Sequence, residues 1–240
     1  MSITAQITDE IKNIPIGKTF GYKDLNVSSK KITTAAKVIE RLIKKGVIKK
    51  IAKGTFYKPE KTVFGELKPS ENEIIKPYLF EKGKRIAYIT AELLYNQLGL
   101  TTQIPATIKI ASLKRIYINK GAIKAKPVKS YVEVTDENFY ILGLLDAIKD
   151  FKKIPDLDTN NALKRLGYLI ENLEIKQLDL LMKLALKYPP RARALLGAIA
   201  QNLEINLDLT ILKNSLNPLS EYKLGISKKE LPTSTNWNIV

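Results

Sequence analysis

The sequence predicts an α+β protein of two domains, with most of its helices in the second domain. Three observations support this. Residues 28–59 combine an apolar repeat of helical period with two short alternating segments. The 240 residues are 45% hydrophobic, which suffices for two buried cores. The formal net charge is +16, with 40 Lys and Arg against 24 Asp and Glu, which indicates a polyanionic partner.

The first 27 residues predict one helix followed by a short second helix or turn. Pro15 and Gly17 end the first helix, and Phe20, Tyr22 and Leu25 suit the short element after it. Four isoleucines recur at spacings of three and four residues and give the first helix one apolar stripe: Ile3, Ile7, Ile11 and Ile14.

The next segment predicts an amphipathic helix that ends at Gly46. Ser28 or Ser29 can cap its start, because a hydroxyl accepts from the unpaired amides of the first turn. Gly46 can end it by taking positive φ. The apolar face is predicted to hold Ile32, Ala35, Ala36, Ile39, Leu42 and Ile43.

A basic hairpin follows this helix. Residues 47–51 alternate with lysine, Lys53 and Gly54 form a turn, and residues 55–58 return. Helices followed by a basic hairpin are typical of a winged helix-turn-helix, which we predict for residues 1–62. The fold class is therefore α+β, with this N-terminal domain followed by a larger helix-rich domain with a small antiparallel sheet. The alternative is an ordinary surface helix whose lysines are merely solvated.

The candidate DNA-binding residues follow from how such domains dock, with the N-terminal half of the second helix in the major groove. The groove candidates are Lys30, Lys31, Thr33, Thr34 and Lys37. The backbone candidates further along the helix are Arg41, Lys44 and Lys45. The hairpin candidates are Lys49, Lys50 and Lys53. Arg41 has a structural alternative, in which Asp24 or a hairpin carbonyl holds it, and Tyr57 is interpreted as a packing residue.

Residues 63–240 are predicted to form the second domain, after a linker near residues 59–69. Short β-prone runs lie between residues 106 and 131, and helical patterns prevail after residue 139. Pro190 is expected at the start of the last long helix, where its missing amide costs least. The tail after residue 214 is rich in Pro, Ser and Lys and is expected to wrap over the surface.

A second basic cluster occupies the β-prone part of this domain, where no acidic residue lies between Glu92 and Glu133. With Tyr117 nearby, it is either a second nucleic-acid surface, for example one for RNA, or the solvated face of an antiparallel sheet. Its members are Lys109, Lys114, Arg115, Lys120, Lys124, Lys126 and Lys129.

Catalytic, cofactor and metal sites are not expected, and the protein is predicted not to be an enzyme. The chain has no Cys and no His, which removes the commonest general base and the softest metal ligands. Lys18 and Thr19 follow Gly17 without the first glycine of a phosphate loop. The acidic pairs are interpreted as helix caps (Asp156, Asp158) or as charges amid lysines (Asp146, Asp150). No long apolar run is present, so we expect a cytoplasmic protein without a membrane partner.

Three segments resemble the AbiEi-type antitoxins of abortive-infection and type IV toxin–antitoxin operons. They are RLIKKGVIKKIAKGTFYKP, FGELKPS and ITAELLYNQLGLTTQIPATI. The most specific features are Arg41 and Leu42 followed by Gly46, Gly54 and Tyr57, and later Leu98-Gly99-Leu100 with Gln103-Ile104-Pro105. The resemblance implies a transcriptional repressor that binds double-stranded DNA at the operator of its own operon. It also implies that the C-terminal domain counteracts a nucleotidyltransferase-like toxin from the same operon, through the toxin or its RNA target.

Two other functions are compatible with the same residues. The winged helix serves RNA as well as DNA, so the chain could be an RNA-binding protein. The C-terminal helices could instead form an interaction module that binds the toxin directly. A preference for duplex DNA with symmetric half-sites, or co-purification with the toxin, would distinguish these functions.

Overall fold

The chain forms two compact units, Met1–Leu79 and Phe80–Val240, called here the N-terminal and the C-terminal unit. The computed structural model describes residues 3–28, 31–52, 54–63, 65–120 and 123–240. Both units combine helices with small sheets, so the protein is of the α+β class.

The described α-helices agree closely with the helical patterns of the sequence. They are α1 (Ile3–Asn13), α2 (Ile32–Lys44), α3 (Glu71–Leu79), α4 (Glu92–Gln97), α5 (Phe139–Asp150), α6 (Thr159–Glu171), α7 (Ile175–Ala185), α8 (Pro190–Asn202) and α9 (Thr210–Asn214). The described strands are β1 (Thr19–Gly21), β2 (Lys49–Ala52), β3 (Thr55–Tyr57), β4 (Glu60–Thr62), β5 (Gly65–Leu67), β6 (Phe80–Glu81), β7 (Lys84–Arg85), β8 (Ala87–Thr90), β9 (Ile108–Ser112), β10 (Ile118–Lys120) and β11 (Ile123–Lys129).

The N-terminal unit packs α1 and α2 against a three-stranded antiparallel sheet in the order β1-β3-β2. Residues 19–24, expected as a short second helix or turn, form strand β1 and one 3-10 turn, Tyr22–Asp24. The strand forms because Phe20 lies opposite Phe56 of β3, with ring centroids 5.9 Å apart. The shared core consists of Ile7, Ile11, Phe20, Leu25, Ala35, Val38, Ile39, Leu42, Ile48 and Phe56.

Helix α2 begins later than the serines suggested. Its N-cap residue is Lys31, without a side-chain cap, because the carbonyl of Ser28 accepts the Lys31 amide at 2.8 Å in a preceding turn. Ser29 lies outside the described residues. The predicted end is confirmed: Gly46 has φ +68°, and the amide of Val47 donates to the carbonyl of Leu42 at 3.0 Å. These bonds satisfy the last carbonyls of the helix.

The segment predicted as a linker folds with the N-terminal unit. Strands β4 and β5 form an antiparallel hairpin within it. Helix α3 is tied to β1, because the amide of Thr19 donates to the Glu73 carboxylate at 3.1 Å and its hydroxyl to the Glu73 carbonyl at 2.9 Å. The compact unit therefore extends to Leu79, beyond the boundary drawn at residue 62.

The C-terminal unit contains a four-stranded sheet in the order β10-β11-β9-β8. The prediction of an antiparallel sheet is wrong for one pair, because β9 and β11 run parallel. The chain leaves β9, crosses to the outer edge as β10 and returns as β11, so that β11 has the same direction as β9. The sheet is therefore mixed.

The helices of this unit share one core with the chain's tail. Helix α5 begins at Phe139 and α8 has Pro190 at its first position, as the sequence predicts. The tail does more than cover the surface: Trp237 is 2% exposed and lies against Gly197 of α8. Its indole donates to the Gln201 side chain at 2.8 Å.

Within the described residues, none of the helices has the length and apolar character needed to cross a membrane.

Candidate nucleic-acid interface

One face of α2 is exposed and carries mainly cations and threonines. The opposite face is anchored in the core by Val38, Ile39 and Leu42, which fixes the direction of the exposed face. Ile32 was predicted on the apolar face but is 45% exposed, because it occupies the first turn, beyond the core contacts. The exposed polar residues are Lys31, Thr33, Thr34, Lys37, Glu40, Arg41, Lys44 and Lys45.

Most of these cations are free to meet an anion. Lys31, Lys37 and Arg41 form no ion pair with any residue that the structure describes. Lys44 pairs with Glu40 at 3.2 Å, but both side chains are well exposed, so the pair is weak. Lys30 lies outside the described residues. The helix thus presents positive charge along its exposed face.

The alternative role of Arg41 is not seen among the described residues. Asp24, the carboxylate expected to hold Arg41, instead accepts the amide of Gly21 at 2.7 Å. That bond closes the 3-10 turn before α2. Arg41 is left exposed on the same face as Lys37, one helical turn away.

The β2–β3 hairpin contributes one paired and one free lysine. Lys49 forms an ion pair with Glu66 of β5, and the hydrogen bond and charge of Glu66 raise the pKa of Lys49. Lys50 is exposed and has no ion pair in the described part of the chain. Lys53, at the hairpin turn, lies outside the described residues. Of the predicted hairpin cations, Lys50 is therefore the one that the described structure leaves available.

Two glycines, Gly21 of β1 and Gly54 of the hairpin, let the hairpin turn lie close to β1. A Cβ at Gly21 would lie 3.0 Å from the carbonyl oxygen of Gly54, so a side chain there would push the turn away. Gly54 has φ +71°, which the turn requires and which other residues rarely adopt. Tyr57 is 7% exposed, which confirms its interpretation as a packing residue.

Lys58 has a structural role that the sequence analysis did not identify. Its ammonium donates to the carbonyl of Lys12 at 2.7 Å, near the end of α1. A cation there satisfies a terminal carbonyl and complements the helix dipole. The sequence signal was only a lysine before Pro59, which says nothing of a helix 46 residues earlier. Lys58 is therefore occupied within the fold.

The second basic cluster separates into two groups. Lys109, Lys124 and Lys126 share one sheet face, since Lys126 pairs with Lys109 in register and Lys124 is two residues earlier. Lys109 is also bound to Glu92 at 2.8 Å. Ile123 and Ala125 alternate with the exposed lysines and are buried, the pattern of a solvated sheet face.

In the other group, Lys114 and Arg115 lie in the loop after β9 and Lys129 ends β11, and the three line one pocket. Lys114 is paired with Glu81 at 2.7 Å. The side chain of Lys120 is not described. The two groups therefore belong to different surfaces, one a solvated sheet face and the other a pocket.

A buried polar cluster around Asp146 of α5 was not recognised in the sequence. Its carboxylate accepts from Tyr88 at 2.8 Å, from Thr90 at 2.6 Å and from Lys149 at 2.7 Å. Tyr95 donates to Asp150 at 2.9 Å. The spacing of Asp146, Lys149 and Asp150 placed them on one helix face, but their burial and their β8 partners depend on tertiary contacts. We use the name Asp146 cluster for the side chains of Tyr88, Thr90, Tyr95, Asp146 and Lys149.

Burial controls the protonation of this cluster. Burial, followed by the charge of Asp146, raises the pKa of the Tyr88 phenol above its ordinary range. Burial and the charge of Asp150 raise the pKa of Tyr95 likewise. Burial lowers the pKa of Lys149, but the charge and hydrogen bond of Asp146 outweigh it and hold that pKa above its ordinary value. These shifts keep the phenols of Tyr88 and Tyr95 neutral and the ammonium of Lys149 charged.

Of the two acidic residues interpreted as helix caps, Asp158 is a cap and Asp156 is not. Asp158 is the N-cap of α6 and accepts the Asn161 amide at 3.0 Å, as predicted. Asp156 accepts from the side chain of Gln103. Within the described residues, no group of three or more potential ligand side chains gathers around a point where a metal could sit.

Comparison with known proteins assigns a family and finds structural similarity to solved proteins. The crystal structure of the RV2827C protein from Mycobacterium tuberculosis is similar over 98% of this chain and 90% of that chain, with 11% identity and a TM-score of 0.52. At this identity the likeness concerns the fold alone. No curated protein matches the chain. Residues 6–156, more than half of the chain, match a family described as being of unknown function, DUF6088. The chain therefore belongs to the DUF6088 family.

Proposed function

We propose that the N-terminal unit is a winged helix that binds double-stranded DNA through α2 and the β2–β3 hairpin. The observation that carries this proposal is the exposed face of α2, where Lys31, Lys37 and Arg41 have no ion pair in the described structure. Unpaired cations in a row on a rigid helix can neutralise phosphates at little cost. The order of elements, two helices followed by an antiparallel hairpin, supports the same proposal.

The two ends of α2 would have different roles. Its first turns carry Thr33, Thr34 and Lys37, whose hydroxyls and ammonium can reach base edges or phosphates in the major groove. Arg41 and Lys44 lie further along and would meet the phosphate backbone. Lys50, in the hairpin, would contact a neighbouring phosphate. This division assigns sequence preference to the start of α2 and general affinity to the remaining cations.

A binding measurement tests the proposal. A fluorescent duplex from the region upstream of the gene is titrated with the full chain, beside a duplex of scrambled sequence. Lys37→Glu places an anion against the phosphates and should abolish binding, whereas Lys183→Glu, an exposed lysine of α7, changes the net charge equally and should not. Equal losses in the two variants would show that α2 is not the interface.

The resemblance to AbiEi-type antitoxins extends the proposal to the operon. We propose that the chain represses its own operon from the cytoplasm and counteracts a nucleotidyltransferase-like toxin encoded with it. The C-terminal unit would carry the neutralising activity, because it has its own core and α2 lies in the other unit. The toxin itself, or the RNA that the toxin modifies, would be its target.

Two activities in two units should be separable by mutation. Lys37 is exposed, so Lys37→Glu should change the free energy of unfolding by no more than about 0.5 kcal/mol. The variant should lose promoter binding and still rescue cells that express the toxin. A folded Lys37→Glu protein that fails to rescue would refute the separation, while leaving duplex binding intact as a proposal.

A further inference from the structure

The C-terminal unit contains a basic pocket with an exposed aromatic ring, and neither belongs to the α2 face. The pocket measures about 550 Å³ and lies where the loop after β9 meets the end of β11. Arg115, Tyr117 and Lys129 contribute to its lining, with apolar surface from Val128. Its volume falls within the usual range for small-molecule sites and could accommodate a single nucleotide.

The cations of the pocket are available to a ligand. The side chains of Arg115 and Lys129 are exposed and form neither an ion pair nor a hydrogen bond with any described residue. Lys114, also in the lining, is partly neutralised by Glu81. Among the described residues, Arg115 and Lys129 have no such carboxylate partner, and the sequence from 93 to 132 contains no acidic residue. The pocket therefore favours an anion.

The loop that carries these residues is fixed by hydrogen bonds. Ser112 is 2% exposed, and its hydroxyl donates to the carbonyl of Lys114. The amide of Ser130 donates to the carbonyl of Ser112 at 3.0 Å, which joins the ends of the two strands. These bonds order the backbone on both sides of the pocket. Because the backbone is already ordered, ligand binding would have a smaller entropic cost.

Tyr117 indicates which anion fits. Its side chain is 65% exposed, although it follows a short loop from a buried strand. An exposed ring beside free cations matches the way proteins bind single-stranded nucleic acids, with bases stacked on aromatic faces and phosphates held by Arg or Lys. In a duplex the faces of the bases are already stacked on one another and are not offered to a side chain.

We propose that this pocket binds a nucleotide unit of a single-stranded nucleic acid, with Tyr117 stacked on the base and Arg115 and Lys129 holding the phosphates. The site is separate from the α2 face and does not depend on the proposal for duplex DNA. The remaining lysines of the second basic cluster would attract the rest of the strand without stacking on it.

The test measures binding of fluorescent oligouridine and oligothymidine dodecamers to the full chain at about 0.15 M salt. Tyr117→Ala should weaken binding of at least one of these strands by about 5- to 150-fold, the range for losing one stacked base. Tyr117→Phe keeps the ring and should bind like the unchanged protein. Tyr168→Ala removes another exposed ring, 56% exposed on α6, and should have no effect.

A charge-matched pair completes the experiment. Arg115→Ala with Lys129→Ala should weaken binding more than Lys124→Ala with Lys126→Ala, since both doubles remove two exposed cations but only the first removes them from the pocket. Equal losses in the two doubles, or unchanged binding in Tyr117→Ala, would overturn the proposal. Binding of an oligoglutamate peptide that depends on Arg115 and Lys129 as strongly as strand binding does, but not on Tyr117, would also overturn it, because the pocket would then recognise an acidic peptide.

Discussion

At the scale of single residues, whether a lysine can contact a DNA phosphate depends on whether it already forms an ion pair within the protein. Lys49 and Lys50 are neighbours in the hairpin and look equivalent in the sequence. Lys49 is bound to Glu66, whereas Lys50 is exposed without an ion pair to a described residue. The sequence could not separate them, because Glu66 belongs to a hairpin that was expected to be a linker.

Removing the charge of Glu66 should therefore recruit Lys49 to phosphate. We expect Glu66→Gln to tighten duplex binding and to steepen the dependence of log K on log salt concentration by about 0.9, the value of one added phosphate contact. Glu60→Gln, an exposed acid on the paired strand β4, removes the same charge as a control. Fluorescence anisotropy across a salt series measures both. If the two variants change the slope equally, Lys49 is not a phosphate contact.

The Asp146 cluster predicts that Asp146→Asn, a nearly isosteric substitution, greatly lowers the free energy of unfolding. Asp146→Asn leaves the largely buried ammonium of Lys149 without its closest carboxylate. We expect the free energy of unfolding to fall by about 3 kcal/mol, the lower end for breaking a buried pair, because Asp150 remains 3.5 Å away. Urea unfolding followed by the fluorescence of the single tryptophan measures it. Asp179→Asn, on the exposed side of α7, should cost less than about 0.5 kcal/mol. Similar losses for both variants would refute the pairing.

The phenols of the same cluster predict alkaline sensitivity. Burial raises the pKa of Tyr88 above its ordinary value of 10.0, and Asp146 raises that of Lys149 against the effect of burial. Above about pH 10 the unfolded chain releases protons that the folded chain still holds, so the free energy of unfolding should decrease. Below that pH the contribution is fully present.

Tyr88→Phe should flatten this decrease, since it removes one shifted phenol. Urea unfolding at about pH 8, 10 and 11 gives the slope for each protein. Tyr168→Phe, an exposed phenol, should keep the slope of the unchanged protein. The same slope in Tyr88→Phe as in the unchanged protein would contradict the assignment.

At the scale of elements, those with local signals were predicted from the sequence. Helix α2 followed from its apolar period and from Gly46, and the β2–β3 turn followed from Gly54. Strand β1 and the β4–β5 hairpin were missed, because strands this short, without the glycine turn that marked β2 and β3, are recognised only through their partners. The parallel pairing of β9 with β11 was missed for the same reason: a crossover leaves no mark on either strand.

The contact of α8 with the tail predicts the effect of one methyl group. A Cβ at Gly197 would lie closer to the Trp237 ring than van der Waals contact allows, so Gly197→Ala should destabilise the protein by about 1–3 kcal/mol. Gly167→Ala, in α6, would place its Cβ 3.5 Å from Leu203, an ordinary contact, and should be neutral or stabilising. Urea unfolding compares the two. Equal free energies of unfolding for the two variants would show that Trp237 of the tail does not pack against Gly197 of α8.

At the scale of the whole molecule, the exposed charges could be predicted from the sequence, whereas the buried features could not. The exposed cations of α2 were predicted from composition and helical period, because solvated charges need no partner to be recognised. The cations of the pocket at Tyr117 were recognised in the sequence as part of the second basic cluster, but not the concave surface that they line. The Asp146 cluster could not be predicted as a site, since it joins segments far apart in sequence. The tail was misread for a similar reason: its Pro and Lys content concealed Trp237, which belongs to the core of the C-terminal unit.

The central claim is that α2 binds duplex DNA, and the salt dependence of binding tests it most directly. Lys37→Ala and Arg41→Ala should each flatten the slope of log K against log salt by about 0.9, because each variant loses one phosphate contact. Lys183→Ala, in α7, removes the same charge and should leave the slope unchanged. Unchanged slopes for both α2 variants, in proteins that unfold at the same urea concentration as the unchanged chain, would contradict the claim.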